Sequence, residues 1–239
     1  MNMKHKIKLA TCILSALTFS SWAQAENTAQ LSIAGTIKPA SCTPSIAGGN
    51  IIDYGNISPN VLNPAAYTVL PERQVEFTIK CDAPARLALK STDGRSGTAV
   101  GGNVGVGGFI PTPVAMFDGV SAVGAIGAAG LGKTGETDIG GFVARLAAGT
   151  VKADDKDVYS ILSKDHGHTW LNSTHGNLFQ HDYVELASWS ASSSVITPVA
   201  FTNLTGKLGI QAYIRQSSEL DMSKEITLNG LATIELVYL

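Results

Sequence analysis

The chain has 239 residues, with 17 Lys and Arg against 19 Asp and Glu and a net charge of −2. That balance argues against nucleic acid or anionic lipid as a partner held by general electrostatics. No apolar run is long enough to span a membrane.

Lys4, Lys6 and Lys8 precede an apolar run from Leu9 to Phe19, and Ala23-Gln24-Ala25 follows. A charged start, a short apolar core and a small-x-small cleavage site are the layout of a secretory signal peptide over residues 1–25. The mature chain is then 26–239, exported, with no membrane insertion after cleavage. Losing three lysines and no acid takes its charge to −5. Cys12 goes too, leaving Cys42 and Cys81. Two cysteines in an oxidising compartment predict a disulfide.

Leu31, Ile33, Gly35 and Ile37 alternate with Ser32, Ala34, Thr36 and Lys38, which predicts a strand ending at Pro39. After Cys42 comes a Pro-, Gly- and Asn-rich loop containing Asp53-Tyr54-Gly55-Asn56-Ile57. Val75, Phe77, Ile79 and Cys81 mark a second strand, with Cys81 on its apolar parity. Pro84 predicts a break, after which Leu87 and Leu89 resume the alternation.

Between residues 92 and 150 the composition shifts, and 16 of the chain's 25 glycines fall there. No G-x-x-x-x-G-K-[ST] phosphate loop or dinucleotide fingerprint is present. Glycine tolerates positive φ, so this insertion reads as long loops over the domain. Short strands are expected at Phe109-Ile110, at Val114 to Phe117 and at Ile139 to Leu146, the last with Phe142, Ala144 and Leu146 on one parity.

His166, His168, His175 and His181 lie within sixteen positions, beside Asp165 and Asp182. Histidines and carboxylates are metal ligands, but Gly167 indicates a turn and no HExxH accompanies them. They are read as surface-loop residues, with no metal and no cofactor. Trp189 is assigned to the core. Val195 to Phe201 and Leu208 to Arg215 are strand candidates; in the second, Leu208, Ile210, Ala212 and Ile214 share one face and Tyr213 faces out. There is no G-x-S-x-G elbow and no free thiol, so the chain is not read as an enzyme.

The last fourteen residues, Ile226 to Leu239, put Ile226, Leu228, Ala232, Ile234, Leu236 and Tyr238 on one parity, with Gly230 the only gap. Successive side chains of a strand point to opposite faces, so this segment offers one face to a core. It is either an ordinary last strand or an edge for a partner.

The run Leu31 to Ile37 followed by Ala40-Ser41-Cys42, the Asp53-Tyr54-Gly55 segment, Phe77 to Cys81, and the ending Ala232 to Leu239 with its penultimate Tyr238 together resemble chaperone–usher pilin subunits. With Leu87 to Gly94 included, the set is similar to a fimbrial-like group of uncharacterised exported bacterial proteins. The resemblance implies an all-β, immunoglobulin-like (pilin-type) β-sandwich that lacks its final strand, as one domain over 26–239. A periplasmic pilus chaperone would fill the groove first, then a neighbouring pilin-like subunit delivered through an usher. Ile234, Leu236 and Tyr238 would form the groove's edge strand. Ala29, Leu31 and Ile33 would be the donor strand; alternatively the protein accepts a strand without donating one, or closes its own groove. The implied function is a fimbrial structural or adhesion subunit in the periplasm or at the cell surface; the alternative is a stand-alone module binding a glycan or host surface.

Overall fold

The computed structural model describes residues 30–239. The segment read as a signal peptide, residues 1–25, and Ala29 lie outside the described residues. The chain divides into two units between Lys38 and Pro39. In the first, residues 30–38 form neither helix nor strand and are all exposed. The strand predicted at Leu31 to Lys38 is therefore absent. Its alternation is real, but an extended segment becomes a stable strand only against a hydrogen-bonded neighbour, and no strand of the described residues pairs with it.

The second unit carries β1 (Cys42–Ile46), β2 (Thr68–Val69), β3 (Arg73–Ala85), β4 (Leu87–Asp93), β5 (Ile110–Pro111), β6 (Gly127–Gly130), β7 (Lys133–Thr134) and β8 (Thr137–Asp138). It continues with β9 (Gly140–Leu146), β10 (Lys152–Ala153), β11 (Lys156–Asp157), β12 (Tyr159–Ser163), β13 (Leu171–Asn172), β14 (Leu186–Ser190), β15 (Phe201–Ile214) and β16 (Ala232–Tyr238). The protein is all-β, and its sheets are antiparallel and do not close into a barrel. One sheet runs β1-β3-β15-β9-β6-β5, with β2 and the β10–β11 hairpin also attached to β15. A second runs β13-β12-β14-β4-β16, and β7 and β8 form a separate two-stranded sheet.

One apolar cluster joins both sheets: Phe77 and Ile79 from β3 and Leu208 and Ile210 from β15 meet Leu87 and Leu89 from β4 and Trp189 from β14. Trp189 is 2% exposed and meets Phe201 edge-on at 6.0 Å, so its assignment to the core holds. The Cys42–Cys81 disulfide ties β1 to β3, where the two residues lie directly opposite in register. Stapling a loop of this size stabilises a fold by about 2–4 kcal/mol.

Three local expectations are corrected. Strand β3 runs through Pro84 to Ala85. The ring is tolerated because the β3–β15 register shifts between Phe201 and Asn203, so the missing N–H falls where the ladder is already irregular. Val114 to Phe117 is not a strand; Met116 makes only an isolated bridge to Ser121, and Phe117 has φ 55°. Of Val195 to Phe201, only Phe201 lies in a strand.

The glycine-rich insertion is the larger correction. The strands expected at Phe109-Ile110 and at Ile139 to Leu146 are present as β5, one residue later, and β9; the reading as loops missed β6 to β8, and all four residues of β6 are buried. A Cβ at Gly140 would collide with the Tyr213 carbonyl, and one at Gly130 with the Thr98 hydroxyl. These glycines therefore permit close backbone approach rather than looseness. The insertion covers the outer face of β9 and β15 with a second cluster of Ile110, Met116, Phe117, Ala128, Val143 and Tyr213. Tyr213 does oppose the Leu208–Ile214 face, but it is fully buried and its hydroxyl donates to the Val100 carbonyl at 2.8 Å.

The same layer holds a half-hidden ion pair. The Arg145 guanidinium donates twice to the Glu72 carboxylate, at 2.8 and 3.0 Å, and lies 4.2 Å from the centre of the Phe117 ring. A bidentate pair of this kind fixes geometry as well as charge.

Candidate functional site

Strand β16 ends its sheet. It pairs with β4 along its whole length, from Ala232 opposite Asp93 to Tyr238 opposite Leu87. Among the described residues no strand pairs with its other edge. Ala232, Ile234 and Leu236 are half-buried and pack on the main core, while Thr233 and Glu235 are exposed. Tyr238 breaks the row: it is 51% exposed, and its hydroxyl accepts a hydrogen bond from the Cys42 N–H at 2.9 Å. That bond links the end of one sheet to the first strand of the other. The Lys90–Glu235 pair across β4 and β16 is long, at 3.9 Å, and exposed, so it adds little.

The strand is shorter than the fourteen-residue pattern, because pairing starts only at Ala232. Ile226 and Leu228 keep their parity and pack on the core without a ladder. Gly230 is the gap because a Cβ there would sit 2.8 Å from the Phe142 ring.

Beside this segment lies an apolar groove. A hollow of about 290 Å³ has Phe142, Ala144, Leu208, Ile210 and Ala212 among its walls, together with Ala232 and Ile234 of β16. A second hollow, of about 480 Å³, continues from it and shares Ile51, Ile52, Tyr54 and Leu228. The irregular segment 50–57 borders both. Its Ile52, Tyr54 and Ile57 pack on the core. The Tyr54 hydroxyl donates to the Ile210 carbonyl at 3.1 Å and accepts from the Ala212 N–H at 3.2 Å. Burial pushes that phenol up to about 12. The resemblance had picked out Asp53-Tyr54-Gly55 as a motif but not its place on the groove wall.

The remaining candidates fall elsewhere. Leu31 and Ile33 are 90% and 93% exposed, and Ala29 lies outside the described residues. His166, His168 and His175 are exposed, and His181 sits 3.2 Å from the Gly124 carbonyl oxygen. Among the described residues no three His, Cys, Asp or Glu side chains gather as a metal-binding group. Asp165 is used locally: it takes hydrogen bonds from Thr169 and Ser163, and the Thr169 bonds foremost hold it well below the usual carboxylate range. No helix among the described residues is long and apolar enough to cross a membrane.

Sequence reading also passed over Glu185. It lies in a partly alternating apolar run and is 6% exposed, and burial pushes its carboxyl up to about 7. A charged residue between Val184 and Leu186 was the available signal.

Residues 31–143 match the family model described as "Protein of unknown function (DUF1120)", so the match begins inside the exposed N-terminal segment. The chain is 26% identical over 245 residues to "Uncharacterized protein YhcF" of Escherichia coli (strain K12), covering 95% of this chain and 97% of that one. It is 31% identical over 252 residues to "Protein GltF" of the same organism, covering 99% and 98% respectively. At that identity and coverage, the chain belongs to the family of Protein GltF.

Proposed function

We propose that this protein is an exported fimbrial-like subunit, structural or adhesive, assembled by strand complementation. Its fold is read as an immunoglobulin-like sandwich lacking its last strand. The order β1-β3-β15-β9 facing β12-β14-β4-β16 supports this, since the missing strand would lie on the open edge of β16. A periplasmic pilus chaperone occupies that edge first. The N-terminal segment of another pilin-like subunit then replaces it, with an usher as the assembly platform and the cell surface as the destination.

One observation carries the reading. The row Leu31, Ile33, Gly35, Ile37 spans seven residues, and its three large side chains are 90%, 93% and 100% exposed. The open edge of β16 is also seven residues long and borders an apolar groove. β-Augmentation needs this combination: backbone pairing supplies affinity and alternate side chains entering pockets supply specificity. An exposed strand edge left unfilled is an aggregation hazard, which gives a chaperone its purpose. Because the globular unit starts at Pro39, the mature N-terminal segment is residues 26–38, long enough to include the whole row.

The test is co-expression of the mature chain with a pilus chaperone from the same organism. Changing Ile234, Leu236 and Tyr238 to Ser should abolish the chaperone complex. Changing Leu31, Ile33 and Ile37 to Ser should leave that complex intact and stop subunits from joining one another. A stable monomer that ignores the chaperone, with or without its N-terminal segment, would overturn the reading in favour of a stand-alone binding module.

A further inference from the structure

Strands β4 and β14 are neighbours that scarcely pair: their register consists of Leu89 opposite Ala187. Continued in antiparallel fashion, it would set Ser91 against Glu185. No rung forms there. A cavity of about 230 Å³ has both residues on its wall. At about 30 Å³ per molecule, that is roughly the liquid volume of eight waters.

The polar groups facing this space are not satisfied from within the protein. Glu185 is 6% exposed; its Oε2 accepts from the Tyr183 hydroxyl at a long 3.4 Å, and its Oε1 has no hydrogen-bond partner. The Ser91 hydroxyl oxygen is buried and likewise without a partner. Gln180 lies on the same wall and exerts a lesser pull on the carboxylate, but its Nε2 is directed at the Ala125 carbonyl, 3.5 Å away.

The carboxylate also has no cation paired with it. Among the described residues no ion pair reaches Glu185. The Lys164 ammonium lies 4.3 Å from the centre of the Tyr183 ring; its charge favours the carboxylate without pairing with it, and Asp182 opposes it more weakly. Lys90, on the cavity wall, pairs with Glu235 at 3.9 Å. A buried carboxylate without a cation is costly unless it protonates or finds a partner. Apolar surface from Phe109, Leu178 and Val184 completes the wall, and Thr92 and Val106, both exposed, mark its mouth.

We propose that the split between β4 and β14 is a binding site for a small organic cation, a primary ammonium on a short aliphatic chain. The ammonium donates to Glu185 Oε1 and the Ser91 hydroxyl, and the alkyl part lies against Phe109 and Leu178. Calcium or magnesium is a poor fit, since each takes six or more oxygen ligands and the wall offers a single carboxylate. An anion would face the carboxylate directly.

The experiment is titration of the mature chain, together with whatever subunit fills its groove, with n-propylamine and ethanolamine, and with n-propanol as the neutral counterpart. Amide shifts are read by NMR at pH 8. Saturable shifts centred on Ser91, Gly107 and Glu185 are expected with the amines and not with the alcohol. Affinity should fall at least tenfold in Glu185→Gln, and also in the unaltered protein at pH 5.5, where the carboxyl is protonated. Glu185→Gln removes a buried charge and keeps the shape, so its spectrum away from the cavity should be unchanged; Ser91→Ala gives a second, milder loss. Absence of a saturable response to either amine means the cavity holds only water and overturns the proposal. So does equal binding to Glu185→Gln or to the alcohol.

Discussion

Changing Ile33 to Ser tests strand donation quantitatively. Ile33 is 93% exposed in its own chain, so nearly its whole side chain is available for burial elsewhere. Burying an isoleucine is worth about 1.5–3 kcal/mol, and serine recovers little of that. A loss of about 2 kcal/mol corresponds to roughly a 30-fold weaker complex. The receiver is the mature chain with its own Leu31, Ile33 and Ile37 changed to Ser, so that it cannot fill its neighbour's groove or its own. The receiver is supplied as its chaperone complex, a fluorescent peptide of residues 26–38 replaces the chaperone, and affinity is read by anisotropy. Thr36→Ala, on the opposite parity, is the control and should bind within about threefold of the parent, since surface changes are usually small. If Ile33→Ser and Thr36→Ala weaken the peptide equally, side-chain pockets are not reading the row. If the unaltered peptide does not bind, the row is not a donor strand.

Two other predictions concern stability. Burial raises the Glu185 carboxyl from 4.5 to about 7, which penalises its charged form in the folded state. Stability from this group is therefore full below about 4.5 and declines as pH rises to about 7, by roughly 3 kcal/mol. In urea melts between pH 5 and 8, Glu185→Gln should be flat where the parent loses stability; parallel curves would mean the carboxyl is hydrated. Tyr213→Phe removes the bond to the Val100 carbonyl in a fully buried site and should cost about 1–3 kcal/mol. Thermal melts check it, and an unchanged melting temperature would mean the second cluster does not depend on that bond.

The parts of the fold legible in the sequence are those in which one face is buried and the other wet. Val75, Phe77, Ile79 and Cys81 gave β3, and Leu208, Ile210, Ala212 and Ile214 gave most of β15, because a period of two survives wherever one face is polar. The disulfide followed from the expected compartment and the cysteine count. The glycine-rich insertion was misjudged because glycine has two unrelated uses, positive φ and the absence of a Cβ. Gly130 and Gly140 serve the second, and only the carbonyls and hydroxyls packed against them reveal it. Tyr213 was turned toward solvent for the same reason: nothing in its own strand tells that a distant segment covers the outer face.

The N-terminal segment is the instructive failure. Leu31 to Ile37 has the cleanest alternation near the start of the chain, yet it forms no strand and buries none of its large side chains. Alternation records that a segment pairs and buries one face; it does not record with which molecule. Three large apolar side chains at 90% exposure or more are costly to leave in water. The edge of β16 presents the converse problem, unpaired backbone beside an apolar groove. A second molecule resolves both at once if each chain gives the segment that the other lacks. On the proposed reading, the local pattern and the fold of a single chain disagree because the pattern serves an assembly of such chains.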